Sequence, residues 1–391
     1  MLRTKLTYST PSSAVEVIIE NVSLLTEDTE TESTRAQRLL RLHLEHSTIQ
    51  TSDGIPQASL SSSIRFRDFA SVFDTGDRSH EATIFRLGQA LFDEIDLLLP
   101  LNSPDELVER ISQLRRKLAL SKWLENAVAP SVDSDLLKNG ENRAAKVFSL
   151  LSGNKVARAV DMALEGNDMR LASLISQAGR TGEFRDELLR QLSDWNKYDA
   201  NPLIAAEYRR LYALLAGIMD VSPSKSGDIS ISKDLDWKRA FGLYLWFGCP
   251  FESTITEVFD EFTSALNSPH PPAEPLPPFL ESKSEVKWNI PTRPTDILYQ
   301  LIRVFSDATV SLDQVLQPRN CSASPTDLRL PWHLYLILSR VMQKRDFVDR
   351  DEEGYSALAD GITQGYAAQL ELGGQWLNAA FVLLHLETIE G

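Results

Sequence analysis

Beyond about residue 80, the apolar positions of this chain recur every three or four residues, the period of a helix that buries one stripe. In ATIFRLGQALFDEIDLLL, Ile84, Leu87, Leu91, Phe92 and Ile95 fall on that spacing. SPDELVERISQLRRKLALSKWLENAV opens with Ser103 as N-cap, Pro104 at the first helical position and Glu106 closing a capping box. Leu107, Ile111, Leu114, Leu118 and Leu120 then line its stripe. NKVARAVDMALEGNDMRLASLISQAGR reads as two short helices, with Gly166 in the left-handed cap of the first and Asn167 or Asp168 capping the second. Ala157, Ala159, Ala163 and Ala172 would let this pair lie close. Further helices are predicted over about 182–196, 203–216, 254–266, 294–306, 332–344, 355–372 and 374–387, mostly with short connections.

Two stretches break the one-stripe rule. DWKRAFGLYLWFG, residues 236–248, puts Trp237, Phe241, Tyr244 and Leu245 on one side and Ala240, Leu243, Trp246 and Phe247 largely on the others. A helix apolar nearly all round must be buried, yet this one is far short of the roughly 20 residues that cross a bilayer. Trp237, Phe241, Leu245 and Trp246 are therefore expected in the core. GGQWLNAAFVLLHLE repeats the pattern, so Trp376 and Phe381 are expected core residues too, covered by a natural continuation of the chain. Helices that bury two sides lie between other helices, which implies stacked layers rather than one small bundle. No fixed repeat period is visible. The fold class is all-α: an irregular two-layer helical stack.

The first 80 residues differ. AVEVIIENV is a short strand or an isolated helix, with β-branched Val15, Val17 and Ile19 favouring the strand. RAQRLLRLHLEHS looks like a short helix, whereas TEDTETESTR and TSDGIPQASLSSS read as mobile loops. Residues 1–64 are thus expected to be weakly structured. NSPHPPAEPLPPFLESKSE, residues 267–285, holds a Pro-x-x-Pro spacing from Pro272 to Pro275 and reads as an extended connector between helices.

Composition narrows the function. The 391 residues are 42% hydrophobic and 24% charged, with a formal net charge of −15. Such a charge repels nucleic acid and anionic membranes at long range, so neither direct nucleic-acid binding nor membrane insertion is expected. The start, MLRTKLTYSTPSS, lacks the apolar run of a secretory signal. Two cysteines, Cys249 and Cys321, cannot form a disulfide framework and point to a reducing compartment, cytosol or nucleus. The six histidines show no metal-ligand spacing, and Cys249 beside the aromatic helix reads as an inert buried thiol. No phosphate-binding loop, nucleophile elbow or kinase signature is present. No catalytic, cofactor-binding or metal residue is assigned, no cofactor is implied, and the chain is not expected to be an enzyme. The competing reading is an all-helical enzyme whose distant carboxylates meet only in the fold.

Several blocks carry a resemblance. FRDFASVF (66–73), EATIFRLGQALFDE (81–94), RLASLISQAG (170–179), QLSDWN (191–196) and LDWKRAFGLYLWFG (235–248) are followed by PLPPFLE (275–281), DLRLPWHLYLIL (327–338) and GQWLNAAFVLLHLE (374–387). In order and spacing they resemble the scaffold nucleoporins of the Y-shaped coat of the nuclear pore, released as the C-terminal half of a self-cleaving FG-nucleoporin precursor. The resemblance covers about residues 64–388 and its motifs are aromatic and aliphatic core. It implies the ancestral coatomer element fold, a stack that doubles back as trunk, crown and tail. Carried over, 1–64 is the weakly structured N-terminal segment, 65–140 the first part of the trunk and 141–225 the crown. Residues 226–330 are then the second part of the trunk, and 331–391 the start of a truncated tail module.

The resemblance also implies a structural scaffold subunit of the nuclear pore complex, in the nucleus at the nuclear envelope, supporting mRNA and protein transport. Its implied partners are other Y-complex nucleoporins: a sister coatomer-element subunit at the crown and hub subunits at the tail. Met162 and Met169, flanking Gly166, are candidates for the crown surface. The family's N-terminal strands complete a β-propeller coat protein shared with COPII. This sequence departs from that pattern: no three-strand blade stands out before residue 60, which puts propeller binding in question, and the precursor's cleavage site is absent. A COPII-like vesicle-coat subunit shares the architecture and is the alternative.

Overall fold

The computed structural model describes residues 3–10, 13–20, 29–52, 54–100, 103–178, 182–223, 227–281, 293–351 and 355–387. It comprises two units, Met1–Glu45 and His46–Gly391.

In the first unit, β1 (Arg3–Thr10) and β2 (Ser13–Glu20) form an antiparallel hairpin with Arg3 opposite Glu20 and Thr10 opposite Ser13. Helix α1 spans Thr29–Glu45. AVEVIIENV is therefore a strand over Ala14–Glu20, as its β-branched residues favour. The acidic stretch TEDTETESTR is not a loop from Thr29 onward, because it forms the start of α1; residues 26–28 lie outside the described residues.

The second unit opens with a second hairpin, β3 (Ser47–Ser52) and β4 (Ile55–Leu60). The turn-rich stretch TSDGIPQASLSSS was expected as a loop, and the structure corrects this. Gly54 adopts a φ of +85°, the left-handed conformation a tight hairpin turn demands. Thr48 opposite Ser59 and Gln50 opposite Gln57 give one face of the pair too little apolarity for it to be read locally. The hairpin is also held from far along the chain, since Ala58 N donates to Leu384 O at 2.7 Å. Among the described residues the strands form only two-stranded sheets, including the short pair β5 (Val221–Ser222) and β6 (Ile229–Ser230).

The rest is helical: α2 (Phe66–Ala70), α3 (His80–Phe92), α4 (Asp105–Lys138), α5 (Arg143–Leu151), α6 (Val156–Glu165), α7 (Met169–Ser176), α8 (Gly182–Lys197) and α9 (Ala206–Leu215) come first. They are followed by α10 (Trp237–Leu243), α11 (Ile255–Leu266), the short α12 (Pro278–Glu281), α13 (Ile297–Ser306), α14 (Leu312–Val315), α15 (Pro318–Cys321), α16 (Arg329–Tyr335), α17 (Ala357–Leu372) and α18 (Trp376–Leu383). Side-chain caps start many of them: Ser79, Asn142, Asp168, Asp236, Thr254, Asp296 and Ser356 each accept a bond from a first-turn backbone N–H. Ser103 does not cap α4. Pro104 takes the N-cap position with no side-chain bond, and the Ser103 hydroxyl donates to Pro100 O at 2.8 Å instead.

The second unit doubles back on itself. Helices α3 and α4 run out, α5–α9 turn the chain round, and α10, α11 and α13 return to pack on α4 and α3. Helix α16 then reaches α2 and α3: the His333 ring lies 6.4 Å from that of Phe69, and Arg329 pairs with Glu81. Two of the returning helices loosen into π turns, with Cys249 N bonded to Tyr244 O and Met342 N to Ile337 O, both at 2.9 Å. Each wide turn slips the side-chain register, which is how these short aromatic helices bury residues on several sides. The second unit is an all-α stack with one hairpin at its start and a short strand pair after α9.

Candidate interaction surfaces

The middle of the second unit is built around α10. Trp237 and Phe241 are fully buried and Leu245 nearly so. From earlier sequence, α4 and α5 hold this helix: Arg239 is buried, donates Nε to the Ser152 hydroxyl at 3.0 Å and pairs with Asp135. Ser131 donates to the Asp236 carboxylate at 2.8 Å. From later sequence, the Trp237 indole donates to Asp296 at 3.1 Å and stacks edge-on against Tyr299, while Phe241 meets Phe262 edge-on. Asp296 is buried, caps α13 and lies 3.9 Å from His80. One carboxylate thus joins three segments of chain.

Trp246 corrects the expectation made for it. The π turn carries it out of the core, and it lies half-buried with its indole N–H on the Ser121 hydroxyl at 2.8 Å. Trp376 is corrected more strongly: it is 63% exposed. Helix α18 packs on α17 through Ala379, Phe381 and Val382, and Trp376 sits at its first position beyond the Gly373–Gly374 turn, where the described residues leave most of it open. Phe381 is buried against the His385 ring at 4.9 Å.

Where the chain turns round, α5, α6 and α7 are linked by two copies of one turn, SGNK and EGND. In each, the N–H of the residue after Asn reaches back five residues, Lys155 to Leu150 O at 2.9 Å and Asp168 to Ala163 O at 3.0 Å. The left-handed residue is the asparagine, Asn154 at φ +56° and Asn167 at φ +58°, not Gly166. Asp168 caps α7, accepting from Leu171 N at 2.9 Å. Ala159, Ala163 and Ala172 are buried, whereas Ala157 faces outward. Met162 is half-buried in a hollow of about 420 Å³ that Arg143 and Tyr208 also line. Met169 is 65% exposed and does not line that hollow.

The buried ionisable groups are structural. Burial pushes the Cys249 thiol up, and does the same more strongly to Cys321. Burial lowers the His80 and His385 imidazoles to about 4, and His333 falls well below its ordinary value for the same reason. Among the described residues, no group of His, Cys, Asp and Glu is placed to hold a metal ion, and no helix is long and apolar enough to cross a membrane. Sequence reasoning missed the arginines that brace this core. Besides Arg239, Arg185 donates to the carbonyls of Phe247 and Gly248 at 2.6 and 3.0 Å, and Arg210 lies 3.8 Å over the Phe148 ring. The only hint was a cation inside an otherwise apolar helix.

Comparison with known sequences follows the helical part. The family model described as Nuclear protein 96 matches residues 145–390. Nucleoporin nup189 of Schizosaccharomyces pombe is 30% identical over 328 residues, which is 80% of this chain and 18% of that protein. Nuclear pore complex protein Nup98-Nup96 of Dictyostelium discoideum is 29% identical over 287 residues, 69% of this chain and 13% of that protein. Nuclear pore complex protein NUP96 of Arabidopsis thaliana is 30% identical over 279 residues, 70% of this chain and 25% of that protein. The chain therefore spans a quarter or less of the length of these relatives. The family match takes in the turn-round helices, the aromatic π-turn helices and the last pair α17–α18, so the chain belongs to the Nuclear protein 96 family of nuclear pore nucleoporins.

Proposed function

We propose that this chain is a structural scaffold segment of the nuclear pore coat, with its place at the nuclear pore in the nuclear envelope, and that it is not an enzyme. The observation that carries the reading is the interlocked middle of the second unit. Trp237, Arg239 and Asp296 tie early and late helices together through buried polar bonds, which makes a rigid body rather than a hinged cleft. A rigid body of this kind suits a coat subunit, whose interfaces of about 800 Å² per side need fixed elements on which to present them. On this reading α5–α9 are the crown, α2–α4 and α10–α15 the trunk, and α16–α18 the start of the tail. Other coat nucleoporins then bind at the crown and the tail, a sister subunit of the same fold at the crown, in support of transport between nucleus and cytoplasm.

The test is a pull-down with that sister coat nucleoporin. Reversing charges on the 155–180 segment, for example Arg158→Glu with Arg170→Glu, is expected to abolish pairing while leaving the melting temperature within about a degree. Both are exposed side chains, Arg170 with one bond to Gln191 at 3.1 Å, and exposed substitutions of this kind change stability by about 0.5 kcal/mol each. Undiminished pairing would remove the crown from the interface.

A further inference from the structure

Between the middle of α4 and the π turn after α10 lies an apolar groove of about 450 Å³. Ile111, Leu114 and Leu118 form one wall; Leu245, Trp246 and Phe251 form the other. Leu118 is 64% exposed and Phe251 73%, so the apolar surface is open to water. The walls are fixed. The Trp246 ring lies over Gly242, where a Cβ would come within 2.4 Å of it, and its indole N–H is already satisfied by Ser121. Lys117, buried in α4, donates to the carbonyls of Pro250 and Phe251 at 3.1 and 3.0 Å and holds the loop that carries Phe251.

The charge of this groove runs against that of the molecule. In a chain of net charge −15, the lining holds two cations, Arg115 and Lys117, and no carboxylate. Arg115 makes no ion pair with any described residue. The carboxylate next to Phe251, Glu252, is engaged by Arg110 at 3.0 Å, and Glu125 by Lys155 at 3.4 Å. Along α4 the wall residues follow the i, i+3, i+7 spacing and extend over roughly 10 Å, the length of two turns of a facing helix.

We propose that this groove docks an amphipathic helix of a partner protein, with two or three apolar anchors set between Leu118, Trp246 and Phe251 and an acidic residue on Arg115. The docking site lies on α4 and the π turn and does not depend on the scaffold reading. The occupant is a protein helix because the wall residues lie at helical spacing and are apolar, and the one half-exposed charge among them, the cation Arg115, suits a single carboxylate on the facing helix.

The experiment is selection of a displayed library of random 16-residue peptides on the 391-residue chain. Enriched peptides are expected to share apolar residues at helical spacing and an excess of Asp and Glu. A synthetic peptide from that set should bind at least tenfold more weakly to Leu118→Asp and to Phe251→Asp, both exposed sites whose variants should melt as the parent does. Arg115→Glu should weaken the acidic peptide and favour its lysine counterpart. Absence of enrichment, peptides without acidic excess, or binding indifferent to Leu118→Asp would each overturn the proposal. So would binding to vesicles of 3:1 phosphatidylcholine and phosphatidylserine that Leu118→Asp abolishes, which would assign the groove to a membrane instead.

Discussion

Gly166 and Asn167 divide between them two roles that a single C-cap glycine usually fills. Asn167 takes the left-handed conformation at φ +58°, which asparagine tolerates better than other side chains. The glycine before it allows close approach: a Cβ on Gly166 would sit 3.3 Å from the Arg143 side chain, and one on Gly153 would meet Val132 at 2.7 Å. Sequence marks the turn by its Gly-Asn pair but not which of the two residues carries the strain. Asn167→Val should destabilise by about 1–2 kcal/mol, the cost of a left-handed non-glycine residue, while Asn167→Gly should be neutral or slightly stabilising. Thermal melting checks this, and equal melting of the two variants would show that the backbone at 167 is relaxed.

At the scale of elements, α4 shows how contacts far along the chain extend a helix past its local signals. The block that carries its apolar stripe and cap ends at Val128, yet the helix runs on through Pro130 to Lys138. Proline removes one backbone bond and crowds the preceding turn. Val128 and Val132 are buried on either side of it, and Ser131 bonds Asp236, so packing outweighs the break. Helix α10 depends on the same neighbour through Arg239. Arg239→Met takes the buried guanidinium from the Ser152 hydroxyl and leaves Asp135 only the exposed Lys138 at 3.6 Å, and should cost about 3 kcal/mol, the low end for a buried pair because Asp135 is partly open to water. Urea or thermal unfolding measures it. A variant as stable as the parent would mean that the pair contributes nothing beyond what methionine packing replaces.

At the scale of the whole second unit, two buried histidines stand where late helices close on early ones, His80 beside Asp296 and His333 against Phe69, and a third, His385, packs on Trp332 within the late helices. Burial lowers each of them first, with Lys238 adding to the effect at His80 and Arg329 at His333. Their folded values lie below the unfolded 6.5, so as pH falls the unfolded chain takes up protons first. Stability is whole above about pH 6.5 and is lost progressively towards pH 4, by on the order of 3 kcal/mol for His385 alone at the lower end. The melting temperature should fall between pH 7 and 4.5, and fall less steeply in His385→Leu. A flat profile over that range would show these rings to be solvated.

The sequence alone settled the helical class, the place of most helices and the burial of the first residues of the aromatic block, because local period and capping chemistry act within a few residues. It also carried the family likeness, since those same packing residues are what the blocks consist of. Only the tertiary structure decided which side of each stripe is covered. Trp246 and Trp376 have apolar neighbours in sequence as rich as Phe241 and Phe381 have, yet one lies in a groove and the other faces water. The same holds for the turn-rich stretch that pairs as a hairpin and for Arg239 inside an apolar core. Burial of a helix face is a property of the segment that returns to meet it, and that meeting is set by chain folding over a hundred residues or more, beyond the reach of any local pattern.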